Sequence, residues 1–182
     1  MMRARASQAG LSFSAEQLRE VFDQGFAQAV VVDAARWQDF LQIRLDGQVH
    51  VLALDEVASL QPVNWVTPIP GPLPALIGLI GHKGETVPLY DLRILLGCPA
   101  TVAPRWMVLS RQVNVALAFD AFDKHLRRPD EAVARPASAQ ASGDHIRAHL
   151  RVDEQNWPIV SLASVGNSIQ EAARQCAQQQ ES

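Results

Sequence analysis

The stretch from Gly78 to Gly97 constrains the fold of this chain more than any other part of its sequence. It reads GLIGHKGETVPLYDLRILLG, with two apolar runs, a glycine-rich turn between them and a leucine-rich segment after them. Glycine adopts a positive φ at little cost, so a turn that Gly81 and Gly84 bracket indicates a sharp reversal between strands. The stretch therefore predicts a tight hairpin with Lys83 at its tip, followed by one or two helical turns.

A proline-rich connection leads into this hairpin. Proline fixes φ and lacks a backbone N–H, so it is excluded from helix interiors and central strands, and we expect an extended surface segment here. Trp65 lies on this segment, where an aromatic side chain either anchors a partner or packs against the body of the protein. The residues alone favour packing. The prolines are Pro62, Pro68, Pro70, Pro72 and Pro74.

Strand patterns dominate the sequence on both sides of the Gly78 stretch. From Phe40 the apolar residues alternate, and an Asp46-Gly47 turn separates two alternating runs that end at Ala53. A period of two with an Asp-Gly turn predicts a β-hairpin. Similar runs at 106–119 and 145–160 predict two further hairpins.

Helical patterns occur towards the two ends of the chain. Ser14 and Gln17 form a capping box at the start of an apolar repeat, which predicts a helix with one apolar side from Leu11 to Ala29. A polar helix is predicted from Ser168 onward. The segment from Arg127 to Gly143 has neither the helical nor the strand period, and it predicts a mobile loop.

A short helical step is predicted at Asp55 and Glu56. Two adjacent carboxylates suggest acid–base chemistry, but acidic side chains are also favoured at the positive end of a short helix. We interpret both residues as structural.

A weak internal repeat indicates two units of similar plan. Leu52–Val57 resembles Leu117–Phe122, and Val87–Leu92 resembles Trp157–Leu162. Each unit is too small and too rich in strands to cover both faces of its own sheet, so we expect paired small barrels that share one interior. The predicted fold class is mainly β.

Composition limits the classes of function. A chain of 182 residues that is 48% hydrophobic and carries a net charge of −3 buries a sizeable core and lacks a dense basic face for nucleic acid. No apolar run approaches the roughly 18 to 20 residues of a membrane span, and the start lacks an apolar signal region, so we expect a cytoplasmic protein. Cys98 and Cys176 lack the spacing of a disulfide framework or a thiolate metal site.

The residue spacing supports neither an active site nor a metal site. In a strand, His145 and His149 would lie about 13 Å apart at about 3.3 Å per residue, too far to share an ion. No serine or cysteine lies in an elbow such as GxSxG. We predict no enzymatic activity, no metal and no cofactor. Two alternatives stay open: a metal-dependent hydrolase that uses Asp144, His145 and His149, and a barrel that binds a small regulatory ligand between its lobes.

Several of these motifs together resemble the CheW family of chemotaxis coupling proteins. The match covers about residues 38 to 169. Gly84, Pro88, Asp91 and Arg93 recur at the intervals of the family's central motif. The other residues that carry the resemblance are Phe40-Leu41, the Asp46-Gly47 turn, Asp55-Glu56-Val57, Pro68, Pro74, the GLIGHKG turn and VPLYDLR.

The resemblance implies one body made of two intertwined SH3-like five-stranded barrels. The N-terminal helix lies outside the match, as an extension before this body, and a polar helix or tail follows the body. The predicted ranges are 1–36 for the N-terminal helical extension, 37–169 for the CheW-like domain, about 58–118 for one lobe, 37–57 plus 119–169 for the other, and 170–182 for the C-terminal helix or tail.

The resemblance also implies a non-enzymatic scaffold. Such a protein joins the cytoplasmic tips of chemoreceptors, the methyl-accepting chemotaxis proteins, to the regulatory domain of a CheA-type histidine kinase. It would be recruited to the inner face of the membrane through receptor arrays, without inserting into the membrane or binding nucleic acid. A divergent adaptor of a pilus-motility or surface-sensing pathway is an alternative.

The resemblance assigns site residues position by position. Lys83 stands where the family has its receptor-associated arginine, and it keeps the charge without the planar guanidinium fork. His82 lies beside it at the tip, and Val57 and Ser59 fall in the first-lobe segment through which family members contact partners. A solvated surface charge is the alternative reading of Lys83. The structural motif positions are Gly78, Gly81, Gly84, Pro88, Asp91, Leu92 and Arg93.

Overall fold

The structure, a computed structural model, describes residues 36–71, 73–135 and 145–180. Within these residues the chain forms eleven strands, two α-helices and two short 3₁₀ turns. The helix predicted from Leu11 to Ala29 lies outside the described residues. The elements are β1 (Trp37–Leu45), β2 (Gln48–Ala53), β3 (Val57–Pro62), β4 (Leu76–His82), β5 (Glu85–Asp91), α1 (Leu92–Leu95), β6 (Trp106–Ser110), β7 (Ala116–Phe119), β8 (Ala121–Pro129), β9 (Val133–Ala134), β10 (Ile146–Val152), β11 (Gln155–Val160) and α2 (Leu162–Gln180).

The strands form two sheets of similar plan, which confirms the predicted mainly β class. One sheet has the strand order β8-β1-β2-β11-β10-β9, and the other has the order β3-β6-β7-β5-β4. The parallel pair of the six-stranded sheet is β2 with β11, and that of the five-stranded sheet is β5 with β7. All other strand pairs in the two sheets are antiparallel. Among the described residues the end strands of a sheet do not pair with each other. The structure therefore has one open six-stranded sheet and one open five-stranded sheet in place of two closed barrels.

The chain crosses between the sheets twice. β1 and β2 belong to the six-stranded sheet, β3 to β7 form the five-stranded sheet, and β8 to β11 return to the first. The first crossing is the 3₁₀ turn Leu54–Glu56, and the second is the single residue Asp120 between β7 and β8. The six-stranded sheet is therefore completed by strands from distant parts of the sequence, while the five-stranded sheet comes from one continuous segment.

The predicted internal repeat is confirmed by the strand register. Tyr90 lies opposite Leu117 in the parallel pair of one sheet, and Val160 lies opposite Leu52 in the parallel pair of the other. Leu52 and Leu117 hold the same position in the first repeated motif, and Tyr90 and Val160 hold the same position in the second. Each parallel pair therefore joins the first motif of one repeat to the second motif of the other repeat.

Buried side chains form three clusters. The central cluster combines residues of both sheets with the start of α2, and it includes Leu41, Leu117 and Leu162. The six-strand cluster, which includes Phe40 and Val51, lies on the opposite face of its sheet, because Leu41 pairs with Leu52 rather than with Val51. The five-strand cluster contains Ile80, Val87, Leu89, Met107, Leu109, Ala116 and Ala118. The two sheets therefore share the central cluster, while each sheet also has a cluster of its own, so the expected single interior is present only in part.

The three predicted hairpins are confirmed as β1–β2, β6–β7 and β10–β11. In the β1–β2 turn both Asp46 and Gly47 have positive φ, at 48° and 76°, as a two-residue primed turn requires. The β4–β5 hairpin is also present, but its turn consists of Lys83 and Gly84. The prediction that Gly81 brackets the turn is wrong, because Gly81 lies within β4 and lacks a positive φ.

The predicted mobile loop is wrong for its first part, 127–134. β8 continues to Pro129, which is acceptable because β8 is an edge strand, and β9 pairs with β10. The Gln38 side chain donates a hydrogen bond to Asp130 at 2.7 Å, and the Asp130 N–H donates to the Arg36 carbonyl at 2.7 Å. These partners lie far away in sequence, so local patterns gave no sign of them. Residues 136–144 lie outside the described residues.

The C-terminal helix begins at Leu162, earlier than the predicted Ser168. Leu162, Val165 and Ile169 are buried in the central cluster, so the first turns of α2 belong to the body of the protein. The Ser161 hydroxyl accepts a hydrogen bond from the Ser164 N–H at 3.2 Å, as a capping residue does. The sequence-based start was late because these apolar turns continue directly from a strand.

Gly78→Ala is expected to lower the free energy of unfolding by about 1 to 3 kcal/mol, the usual cost of overpacking. A Cβ at Gly78 would lie 2.4 Å from the carbonyl oxygen of Thr67, and the neighbouring backbone would have to move. Gly81→Ala on the same strand is the matched control, because a Cβ there meets no atom within 4 Å. Urea unfolding midpoints compare the two variants. Equal midpoints would show that the close approach at Gly78 has no energetic weight.

Candidate partner-binding surface

The tip of the β4–β5 hairpin presents an exposed lysine. Lys83 and Gly84 have φ values of 50° and 84°, so the turn suits the right-handed twist of the flanking strands. Lys83 makes no ion pair with any residue in the described part of the chain. Half-buried His82 pairs in register with exposed Glu85. The tip therefore offers one cation on a short, rigid hairpin, with one carboxylate nearby.

Trp65 lies on the connection between β3 and β4 and is 95% exposed. The interpretation that it packs against the body is therefore wrong. Its φ is 50°, in the left-handed region that costs a bulky residue about 1 to 3 kcal/mol. The neighbouring Val63 and Val66 pack against the five-strand cluster. The surrounding chain thus keeps the indole in solvent.

Backbone hydrogen bonds anchor this connection on both sides of Trp65. The Val63 N–H donates to the Arg105 carbonyl at 2.9 Å, which extends the β3–β6 ladder by one step. Thr67 and Leu79 exchange two hydrogen bonds of 2.8 Å, which pins the connection to the outer edge of β4. The segment 63–67 therefore spans from one edge of the five-stranded sheet to the other. We call it the strap.

A groove of about 310 Å³ lies beside Trp65. It contains no charged side chain, and Gly81 contributes no side chain to its β4 wall. Gly81 precedes Lys83 by two residues, so the groove and the hairpin tip lie about 7 Å apart along the strand at about 3.3 Å per residue. The lining residues are Gln61, Pro62, Asn64, Trp65, Gly81 and Met107.

Val57 and Ser59 at the start of β3 have different environments. Val57 is 4% exposed and packs in the central cluster, so its side chain cannot reach a partner, and we correct the predicted contact through it. Ser59 is half-buried, and its hydroxyl has no hydrogen-bond partner among the described residues. Because the Ser59 hydroxyl oxygen is itself buried, neither residue presents its side-chain end to a partner, and we correct the predicted contact through Ser59 as well.

Arg93 forms a buried ionic cluster with Asp91 and Asp120. It is 1% exposed, and its guanidinium donates to both carboxylate oxygens of Asp91, at 2.9 and 2.6 Å, and to Asp120. These bonds to Asp91 raise the pKa of Arg93 above its ordinary value and keep it cationic, as it is throughout the physiological range. The Asp91 carboxylate also accepts from the Arg93 N–H at 3.0 Å and so caps α1.

Asp120 connects this cluster to the other sheet. Its second carboxylate oxygen accepts a hydrogen bond from the Asp46 N–H in the β1–β2 turn at 2.6 Å. Arg93 also donates to the Val102 carbonyl at 2.8 Å, which holds the loop after α1. The motif residues Asp91 and Arg93 therefore fix α1 against the second crossing.

Glu56 plays a matching part at the first crossing. It is 4% exposed, pairs with Arg147 at 2.6 Å and accepts a hydrogen bond from the Leu162 N–H at 2.6 Å. The prediction that it serves its own helical step is wrong, because it caps the N-terminus of α2 instead. The two groups lie 106 residues apart in sequence, so no local signal could reveal the pairing.

The remaining residues of the motif have positions that support the fold rather than a binding surface. Gly78 lies against the Thr67 backbone, Leu92 is fully buried in the central cluster, and Pro88 is half-buried in β5. Gly84 supplies the second residue of the hairpin turn. None of these side chains is presented for binding.

The residues of the hydrolase alternative do not assemble into a site. The His145 ring lies 3.0 Å from the Ser164 hydroxyl, His149 lies within β10, and Asp144 falls outside the described residues. Across residues 36–71, 73–135 and 145–180, no group of three His, Cys, Asp or Glu side chains is placed to hold a metal ion.

One cavity bears on the small-ligand alternative. It has a volume of about 440 Å³ and is lined by His50 on β2, by the segment from Ile94 to Cys98, and by His145 and Ile146 at the start of β10. Four of its eight lining residues are aliphatic, and burial lowers the pKa of His50 below its ordinary value. Two imidazoles among aliphatic side chains do not identify a ligand class.

Comparisons with known proteins agree with this architecture. A family model described as CheW-like domain matches residues 39–170. The crystal structure of the scaffolding protein TtCheW from Thermoanaerobacter tengcongensis is similar, with a TM-score of 0.62 and 16% sequence identity over 70% of this chain and 90% of that chain. At this identity the likeness concerns the fold. No curated protein matches the chain. In the described part of the chain, no helix is both long and apolar enough to cross a lipid bilayer.

Arg93→Met is expected to lower the free energy of unfolding by about 3 to 5 kcal/mol, because it leaves Asp91 and Asp120 without their buried cation. Arg44→Met is the matched control, since Arg44 pairs with Asp123 at 2.9 Å in a largely exposed position. Exposed pairs contribute about 0 to 1 kcal/mol. Guanidinium chloride unfolding measures both variants, and similar losses would contradict the assigned role of the cluster.

Proposed function

We propose a function for this chain from the fact that it belongs to the CheW-like domain family. It acts as a non-enzymatic adaptor in chemotaxis-like signal transduction. Its partners are the cytoplasmic tip of a methyl-accepting chemoreceptor and the regulatory domain of a CheA-type histidine kinase. It works in the cytoplasm and reaches the inner face of the membrane through the receptors that it binds.

The observation that carries this proposal is the exposed Lys83 on a two-residue turn. The lysine occupies the motif position of the family's receptor-associated arginine, and no described residue neutralises it. The hairpin beneath it is held by its ladder and by the Thr67–Leu79 bridge. A partner carboxylate would meet Lys83 as a point contact, because an ammonium group lacks the bidentate fork of arginine.

The domain plan is part of the proposal. We assign one SH3-like lobe to about 58–118 and the other to 37–57 plus 119–169, intertwined within the CheW-like domain 37–169. The membership of β3 to β7 in one sheet and of the other strands in the second sheet supports this division. The strap supports a barrel-like closure of the five-stranded lobe. The ranges 1–36 and 170–182 are proposed as extensions of this body.

Coupling through such a body is a linkage effect. Binding two partners at once raises their effective concentration towards each other and couples their conformational states without any bond being made or broken. The Asp120 carboxylate bonds to Asp46 and to Arg93, which follow strands of different sheets. Glu56 bonds through its carboxylate to Arg147 and Leu162, and its carbonyl accepts from the Arg111 N–H after β6. A contact on one lobe is therefore held at a fixed position relative to a contact on the other.

Lys83→Glu is expected to weaken binding of the cognate receptor's cytoplasmic fragment at least tenfold, because it reverses the charge at the tip. The chain has two lysines, and Lys124→Glu is the matched control, since it makes the same charge change at an exposed position on β8. Lys83→Arg should keep or increase the affinity. Titration of the receptor fragment measures each variant at low and physiological salt.

The result that would remove the assignment is a folded Lys83→Glu protein with unchanged receptor affinity. Circular dichroism melting establishes that the variant is folded. Equal weakening by Lys83→Glu and Lys124→Glu would reduce the effect to net charge and would also count against a specific contact.

A further inference from the structure

We propose that Trp65 and the groove beside it form a second contact for the receptor, next to Lys83. The contact receives an apolar side chain from an amphipathic helix that also carries a carboxylate one turn away. This inference rests on the proposed function for the identity of the partner. The site itself rests on the geometry of the strap.

The exposure of Trp65 is built into the chain around it. A loose loop would let an indole fold back onto the apolar surface nearby and regain burial worth about 1.5 to 3 kcal/mol. The strap cannot do this, because Val63 and Thr67 are hydrogen-bonded and Val63 and Val66 occupy the adjacent apolar positions. Strained backbone that holds a large side chain outward is characteristic of binding sites.

The groove determines what kind of side chain it accepts. Its lining combines the buried Met107 with exposed Pro62 and with two carboxamides, Gln61 and Asn64. Methionine adapts to apolar groups of varied shape, and Gly81 leaves room on the β4 side. An apolar side chain therefore fits between the indole and Met107, and a charged one would be desolvated without a partner.

The strap also limits which secondary structure of a partner can bind at this edge. A partner strand would add to the outer edge of β4, but the Leu79 N–H and carbonyl already bond to Thr67. The edge therefore offers no run of free backbone groups, and strand addition is blocked. A partner helix needs only side chains to make this contact.

The spacing and the charges select an acidic helix. The groove and Lys83 lie about 7 Å apart along β4. This spacing is close to the distance of about 5 to 6 Å between side chains that are three or four residues apart on a helix. Lys83 lies beyond one end of the groove, and exposed Arg105, whose carbonyl anchors Val63, lies beside the strap. The carboxylate of Glu85 is on β5, one strand further from the strap. A helix carrying an apolar residue and an acidic residue at i and i+3 or i+4 matches this edge.

The test uses Trp65→Asn in the full chain. Asparagine tolerates a positive φ better than tryptophan, so the fold should keep or increase its unfolding midpoint while the indole is lost. Affinity for the receptor fragment should fall by about 30-fold, the effect of losing an interface hot spot. Trp37→Asn is the control, because Trp37 is 54% exposed on the other sheet and should leave receptor affinity unchanged.

A spectroscopic readout follows the indole directly. Replacing Trp37, Trp106 and Trp157 by phenylalanine leaves Trp65 as the only tryptophan in the chain. Its fluorescence should begin at the long wavelength of a solvated indole and shift to shorter wavelength on addition of the receptor fragment. Acrylamide quenching should fall at the same time. An unshifted spectrum at saturating receptor would overturn the proposal.

The outcomes separate this inference from the function that it rests on. If Lys83→Glu weakens receptor binding and Trp65→Asn does not, the adaptor function stands and the Trp65 contact is refuted. If Trp65→Asn weakens binding of the kinase regulatory domain and not of the receptor, the proposed occupant is wrong. If the unmodified protein binds no receptor fragment, both proposals fail. Non-additive losses in the Lys83→Glu, Trp65→Asn double variant would support one helix that spans both points.

Discussion

Two carboxylates, buried Glu56 and partly buried Asp120, lie one at each crossing between the sheets and govern the arrangement of this molecule. Asp120 bonds to Arg93 on one side and to the Asp46 N–H on the other, and Glu56 joins Arg147 to the N-terminus of α2. A carboxylate held away from water without such partners would cost several kcal/mol. Asp120 keeps both of its partners only when the two sheets are in position, since Asp46 follows β1 and Arg93 follows β5. Glu56 keeps its partners only when β10 and the start of α2 are in position. The function proposed above, in which an adaptor holds two partners at fixed spacing, needs this kind of rigidity.

The strands and turns of this fold could be predicted because they depend on neighbours in the sequence. The Asp46-Gly47 turn, the β4–β5 hairpin and the repeat at Leu52 and Leu117 all leave local signals of period two and of turn chemistry. Alternation could not tell which of two buried faces a residue serves, because both faces of the β1–β2 hairpin are covered. The late start given to α2 has a similar cause. An apolar helical turn that follows an apolar strand has no polar residue to mark the boundary.

The candidate site also contains some residues whose placement could be predicted from the sequence and others whose placement could not. The position of Lys83 at a tip follows from the glycine beside it, and the resemblance to a family gave that tip its significance. Val57 was misplaced because its burial depends on the packing of a second sheet, and Trp65 was misjudged because its exposure depends on three hydrogen bonds between the strap and Arg105 and Leu79. Partners at this separation in sequence leave no pattern in a single chain. Glu56 is the clearest case, since its role depends on a helix formed by the last part of the protein.

The exchange of motifs between the two copies has a consequence for how the protein is made. β2 leaves the ribosome long before its parallel neighbour β11. The early hairpin must stay unaggregated with one edge open until β11 has been synthesised, and pairings of such high contact order form slowly. Neither half of the chain could be excised as an autonomous module, because each half contains a motif whose complement is in the other. The two repeated units therefore form a single cooperative folding unit rather than two independent ones.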